Sequence, residues 1–151
     1  MVTAADVVRA VPDPELRAVT IGDLGIVRAV DTDGSRVSVT ITPTYSGCPA
    51  MDAIRADIAS ALREAGFSDI SVNTVLSPAW STDWITDAGR SKLAEAGIAP
   101  PGRTVSLTLT MRCPRCGSAD TEELSRFGST ACKSLWRCRS CSEPFDAVKT
   151  L

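Results

Sequence analysis

Histidine is absent from this chain of 151 residues. Its absence excludes Ser-His-Asp and Cys-His activation of a nucleophile. It also excludes Cys₂His₂ zinc fingers, zinc sites of the carbonic anhydrase or metalloprotease type, and the Glu-x-x-His di-iron sites of helical bundles. No apolar run approaches the roughly 20 residues that span a bilayer. The first residues lack the basic start and apolar stretch of a signal peptide. There is no Gly-rich dinucleotide fingerprint. The expectation is a cytoplasmic protein, free of membrane contact, whose chemistry rests on cysteine and carboxylate.

Six cysteines are present. In a reducing compartment they point to metal binding or reactivity rather than to a disulfide framework. Charge is unevenly spread. Residues 1–100 carry 8 basic and 13 acidic side chains, and residues 101–151 carry 8 and 5. An acidic front half disfavours a general nucleic-acid binder, since phosphate contacts need clustered Lys and Arg. The basic tail keeps that reading open for itself alone, although only Phe127, Trp136 and Phe145 offer rings there.

The pattern predicts a short helix from a Thr3–Asp6 capping box to about Val11, stopped by Pro12 and Pro14. A strand over Ile26–Val30, a connection through Gly34, and an alternating strand over Arg36–Thr42 make a hairpin. Residues 50–65 read as an amphipathic helix with Met51, Ile54, Ile58, Leu62 and Ala65 on one stripe, ended by Gly66. Ile70 and Val72 mark a third strand, which Pro78-Ala79-Trp80 breaks. Thr86 or Asp87 caps another helix, which ends near Gly97. Trp80 and Trp84, four apart, form either an exposed helical anchor or part of the core. Pro100-Pro101-Gly102 is the clearest linker. The expected architecture is α+β: a small two-layer domain over residues 1–100, with helices on a three-stranded mixed or antiparallel sheet, then a β-rich module over 101–151.

That module holds Cys113-Pro-Arg-Cys116 and Cys138-Arg-Ser-Cys141, two C-x₂-C knuckles 21 residues apart. Two such knuckles supply a tetrahedral S₄ shell. Val105, Leu107 and Leu109 alternate into the first knuckle as a zinc ribbon's strand would. Zinc and an iron–sulfur cluster both fit four thiolates. A module this small has little core, so the metal would supply much of its folding energy. Arg112, Arg115, Arg137 and Arg139 flank the knuckles and can offset the charge of four thiolates. Cys132 lies between the knuckles, either as a small buried residue or as an exchangeable ligand.

Cys48 lies in Thr44-Tyr-Ser-Gly-Cys-Pro-Ala-Met51, at a strand-to-helix corner. With Pro49 at the first helical position, Cys48 would be the N-cap, where the helix dipole and free N–H groups favour the thiolate. The other reading is a packed corner cysteine. Asp13, Glu15 and Asp23 occupy the preceding turns. They either brace those turns or lie beside Cys48.

Asp13-Pro-Glu15, Ile21-Gly-Asp-Leu-Gly-Ile-Val27 and Gly47-Cys-Pro49 resemble a small domain family tied to iron–sulfur cluster assembly. Pro78-Ala-Trp-Ser-Thr-Asp-Trp84, Phe127-Gly-Ser-Thr-Ala-Cys-Lys133 and Glu143-Pro-Phe-Asp146 narrow the likeness to the phenylacetate-degradation protein D (PaaD) family, over nearly the whole chain. The resemblance implies a non-catalytic accessory factor of the phenylacetyl-CoA 1,2-epoxidase system. Its role would be to mature or deliver the iron–sulfur cluster of the reductase component. Cys48 would handle iron or a transient cluster, with Asp13, Glu15 and Asp23 shaping its surroundings. Cys113, Cys116, Cys138 and Cys141 would hold structural zinc. Partners would be the reductase, the oxygenase subunits and, if two chains share a cluster, a second copy. The alternative is a scaffold subunit that binds epoxidase components without transferring anything.

Overall fold

The computed structural model describes residues 1–44, 49–101 and 111–149. The chain divides into two compact units, Met1–Thr86 and Asp87–Leu151. The linker on which a 1–100 and 101–151 division rests therefore falls inside the second unit.

In the first unit, α1 (Ala4–Arg9) starts at the expected capping box. Asp6 N–H donates to Thr3 Oγ1 at 3.2 Å, and Thr3 N–H donates to Asp6 Oδ2 at 2.9 Å. The helix stops at Arg9, short of Val11, because Pro12 is drawn into an antiparallel bridge with Thr20. Strands β1 (Val27–Asp33) and β2 (Arg36–Ile41) form the hairpin around Gly34 and Ser35. On β2, Val37, Val39 and Ile41 are fully buried, as the alternation requires. Helix α2 (Ala50–Glu64) then carries the chain to β3 (Asp69–Thr74), which pairs parallel to β2 from Arg36↔Asp69 to Ile41↔Thr74. The sheet is mixed, in the order β1-β2-β3.

Ile54, Ile58 and Leu62 of α2 are buried along one stripe, while Ala65 is an exposed C-cap. Gly66, at φ +97°, takes the left-handed position. Its N–H bonds to Arg63 O at 3.0 Å, and that of Phe67 bonds to Leu62 O at 3.0 Å. This is the Schellman arrangement that satisfies the last carbonyls. At the other end the cap position falls on Pro49 rather than Cys48. Pro49 has helical dihedrals (φ −67°, ψ −18°) and makes no side-chain capping bond. The ring preorganises the first turn, so the helical backbone begins one residue before the hydrogen-bonded ladder.

Trp80 and Trp84 do not share a helix face, since only Thr82–Trp84 makes a single 3₁₀ turn. Trp80 is core: it is buried, and its Nε1 donates to Leu24 O at 2.7 Å. Trp84 is half-buried, with the Arg28 guanidinium stacked 3.8 Å above its ring.

The second unit begins with α3 (Asp87–Glu95), followed by β4 (Ile98–Ala99), β5 (Thr121–Ser125), β6 (Lys133–Cys138) and β7 (Pro144–Val148). The sheet order is β4-β7-β6-β5. β5, β6 and β7 pair antiparallel, and β4 adds parallel to β7. Trp136, Phe145, Ala99 and Ala147 pack with Cys113 and Cys138, and Met111 lies against them. The strand expected over Val105–Leu109 lies outside the described residues. The whole is α+β, with a mixed sheet in each unit.

Candidate metal centre

The two knuckles are built alike. Cys113 N–H bonds to Ser118 O at 2.9 Å, and Cys138 N–H bonds to Glu143 O at 2.9 Å. Each loop thus closes five residues after its first cysteine. The residue following the second cysteine has a left-handed backbone in both: Gly117 at φ +75° and Ser142 at φ +65°. Glycine suits that conformation, whereas serine tolerates it at a cost. In each knuckle the first sulfur-bearing residue is buried and the second exposed. Ser118 Oγ and Ser140 Oγ are hydrogen-bonded at 2.9 Å, tying one loop to the other.

This arrangement brings the four sulfurs of Cys113, Cys116, Cys138 and Cys141 within 4.8 Å of one another. Cys113 and Cys141 Sγ are 3.7 Å apart, and Cys116 and Cys138 Sγ are 3.5 Å apart. A tetrahedron of Zn–S bonds near 2.3 Å has edges of about 3.8 Å. The spacing is far longer than a disulfide's roughly 2.05 Å, and all four are free thiols. The donor set therefore fits one tetrahedral ion. An ion held by four thiolates has no open position for a substrate.

The sulfurs do not share charge equally. Cys138 is lowered to about 7 by the backbone N–H of Cys141, aided by the Cys116 thiol and the Ser140 N–H. Cys141 also accepts a backbone N–H, from Glu143, but burial and the neighbouring sulfurs push it up to about 12. Cys138 is thus the readier of these two sulfurs to ionise, and Cys141 the more reluctant.

The flanking arginines are more engaged than their sequence positions suggest. Glu122 on β5 lies opposite Arg137 on β6 and bonds to it. Glu122 also takes Arg139 NH2 at 3.0 Å, and Asp120 lies 3.8 Å from Arg139 NH1. Arg139, then Arg137, hold Glu122 below the usual carboxylate range. Arg115 lies 3.9 Å from Glu143, and Arg112 donates to Gly117 O at 3.2 Å. Sequence reasoning identified the arginines but not Glu122, because its role depends on strand register.

Asp13, Glu15 and Asp23, in the first unit, lie in well-formed turns. Asp13 is buried, and its Oδ1 accepts Glu15 N–H at 2.9 Å and Leu16 N–H at 2.7 Å. Asp23 and Thr20 exchange bonds: Thr20 N–H donates to Asp23 Oδ2 at 3.0 Å, and Asp23 N–H donates to Thr20 Oγ1 at 3.1 Å. Glu15 is half-buried beside them. Among the described residues, the four cysteines are the one cluster suited to a metal. Cys48 lies outside the described residues. Cys132 stands apart from the four-sulfur cluster, half-buried, with its sulfur 3.0 Å from Thr130 Oγ1.

Residues 98–149 match the family model described as the PaaD zinc beta ribbon domain, and residues 3–74 match that of iron-sulfur cluster assembly proteins. Over 144 residues the chain is 48% identical to the Escherichia coli (strain K12) protein named as a subunit of a "Putative 1,2-phenylacetyl-CoA epoxidase", an alignment covering 93% of this chain and 87% of that one. The chain belongs to the PaaD family. A shorter relative, the "Fe-S protein maturation auxiliary factor" of Porphyromonas gingivalis (strain ATCC BAA-308 / W83), is 33% identical over 97 residues, covering 60% of this chain and 90% of its own length. A solved structure, the domain of unknown function DUF59 from Bacillus anthracis, superposes with a TM-score of 0.55 at 32% identity and covers 60% of this chain and 87% of its own. No helix among the described residues is long and apolar enough to cross a membrane.

Proposed function

We propose that this chain is a cytoplasmic, non-catalytic accessory subunit of phenylacetyl-CoA epoxidase that matures the iron–sulfur cluster of the reductase component through Cys48. One observation carries the reading. The same chain matches an iron-sulfur cluster assembly model over residues 3–74 and the PaaD ribbon over 98–149, at 48% identity to a protein named as an epoxidase subunit. The shorter relative named as a maturation factor supports the transfer role.

In this reading Asp13 and Asp23 are positioning residues. They accept backbone N–H groups and so brace their own turns, with Glu15 beside them, and their role would be to shape the surroundings of Cys48. Cys113, Cys116, Cys138 and Cys141 hold zinc. A closed S₄ site favours a structural ion, and the sequence offers no histidine as a further ligand.

The test places Cys48→Ala as the sole copy in cells and measures iron and acid-labile sulfide in the purified reductase. The expected result is a reductase short of cluster with the variant present at normal abundance. Full occupancy, with the variant still co-purifying with the epoxidase, refutes transfer and favours a scaffold. Metal and sulfide analysis of the anaerobically purified chain checks the second assignment. Zinc without sulfide is expected in the four-cysteine site, and iron with sulfide retained in Cys48→Ala would overturn it.

A further inference from the structure

On the first unit, α1 and α2 leave between them an open groove of about 350 Å³, lined by Val7, Val11 and Pro12 on one side and Asp57, Ala61 and Glu64 on the other. Its floor is apolar: Val11 is buried, and Val7 and Ala61 are half-buried. Asp57 and Glu64 are seven residues apart on α2, so they share a face about 10 Å apart along the axis. Both are exposed, and neither makes a hydrogen bond or ion pair among the described residues. Asp52, on the same helix, instead faces Arg55 at 3.9 Å. The separation is too wide for one cation to bridge, since metal–oxygen bonds are about 2.0–2.6 Å. An apolar trough with an uncompensated carboxylate toward each end suits a chain segment that carries cations on either side of an apolar anchor.

Building on the accessory-subunit reading above, we propose that this groove docks a basic amphipathic segment of the reductase component. An apolar side chain seats between Val7 and Ala61, and lysines or arginines reach Asp57 and Glu64. The acidic excess of residues 1–86, 11 acidic against 6 basic side chains, steers such a segment toward the groove.

The test titrates the full chain, as parent and as D57N/E64Q, with purified reductase and purified oxygenase components in low and high salt. It follows affinity calorimetrically and location by backbone amide NMR. The reductase is expected to bind and to shift the amides of Val7, Val11 and Ala61. D57N/E64Q is expected to lose about tenfold in affinity, as does the parent in high salt. D31N/D33N, which removes the same charge from the exposed β1–β2 hairpin, is expected to bind like the parent. Unchanged affinity in D57N/E64Q, shifts confined to another face, groove shifts caused by self-association or by the oxygenase alone, or no binding by the reductase would each overturn the proposal. The maturation reading is decided separately. A component that binds elsewhere, while Cys48→Ala still leaves the reductase short of cluster, sinks the groove and preserves that reading.

Discussion

Cys138→Ser tests whether the four sulfurs act as one metal centre on which the second unit depends. Cys138 is fully buried, and its sulfur lies 3.5 Å from that of Cys116. Serine keeps the volume but supplies a hydroxyl that does not ionise at neutral pH and is a poor match for a thiolate-selecting ion. Structural zinc contributes about 10–16 kcal/mol in small four-ligand domains. One ligand's share is therefore about 2.5–4 kcal/mol, or roughly 10²–10³ in affinity. The consequence for folding should be large, because among the described residues the buried core around the knuckles has two big apolar side chains, Trp136 and Phe145, and two of its six members are Cys113 and Cys138 themselves. The three tryptophans divide usefully: Trp80 and Trp84 lie in the first unit and Trp136 in the second. Fluorotryptophan labelling thus gives separate reporters in one NMR spectrum. In Cys138→Ser, or in the parent stripped by a chelator, the Trp136 signal should move to its unfolded position while the other two stay. A variant that holds metal against the same chelator as tightly as the parent would refute the shared centre. A stripped parent with an unmoved Trp136 would refute its role in folding.

Two further outcomes follow from the hydrogen bonds and ionisation described above. Asp13→Ala should destabilise the first unit by about 2–3 kcal/mol in urea titrations, because it orphans two backbone N–H groups that donate to a buried carboxylate, while Asp13→Asn, which keeps an acceptor, recovers part of the loss; a cost well under 1 kcal/mol for Asp13→Ala would show that the carboxylate does not brace the turn. Metal affinity should rise with pH, and its slope should steepen by one proton as pH falls through about 7, where Cys138 becomes protonated in the metal-free site and must release that proton on binding; chelator competition across that range checks it, and a constant slope would contradict the assignment.

The features legible from sequence are those encoded by local periodicity. The α2 stripe, the alternation on β2, the Thr3–Asp6 box, the Gly66 stop and the paired knuckles all appear where spacing places them. Features that depend on through-space pairing were not legible. The parallel union of β2 with β3 follows from the α2 crossover, and β4 is too short for alternation to mark it. Trp80 and Trp84 look like a helical pair at i, i+4, yet a single 3₁₀ turn sends one into the core and leaves the other under Arg28. Glu122 gained its two arginines only once the β5–β6 register was known. The reciprocal Thr20–Asp23 bonds resemble a capping box in a segment that never becomes an α-helix, so helix periodicity gave no warning of them.

The division of the six cysteines constrains where cargo chemistry can reside. Four converge on a site that an ion would close on all sides, so a fifth or sixth thiol must act if the chain passes iron or sulfur to another protein. Cys132 lies in the ribbon unit, half-buried and in contact with the Thr130 hydroxyl, in the same unit as the four-cysteine site. Cys48 belongs to the segment joining β2 to α2, in the part of the chain shared with the assembly proteins. A transfer function that survives Cys132→Ala and fails in Cys48→Ala assigns the cargo to the assembly domain, and the reverse result assigns it to the ribbon. The absence of histidine sharpens this choice, because no imidazole can substitute for either sulfur as a ligand.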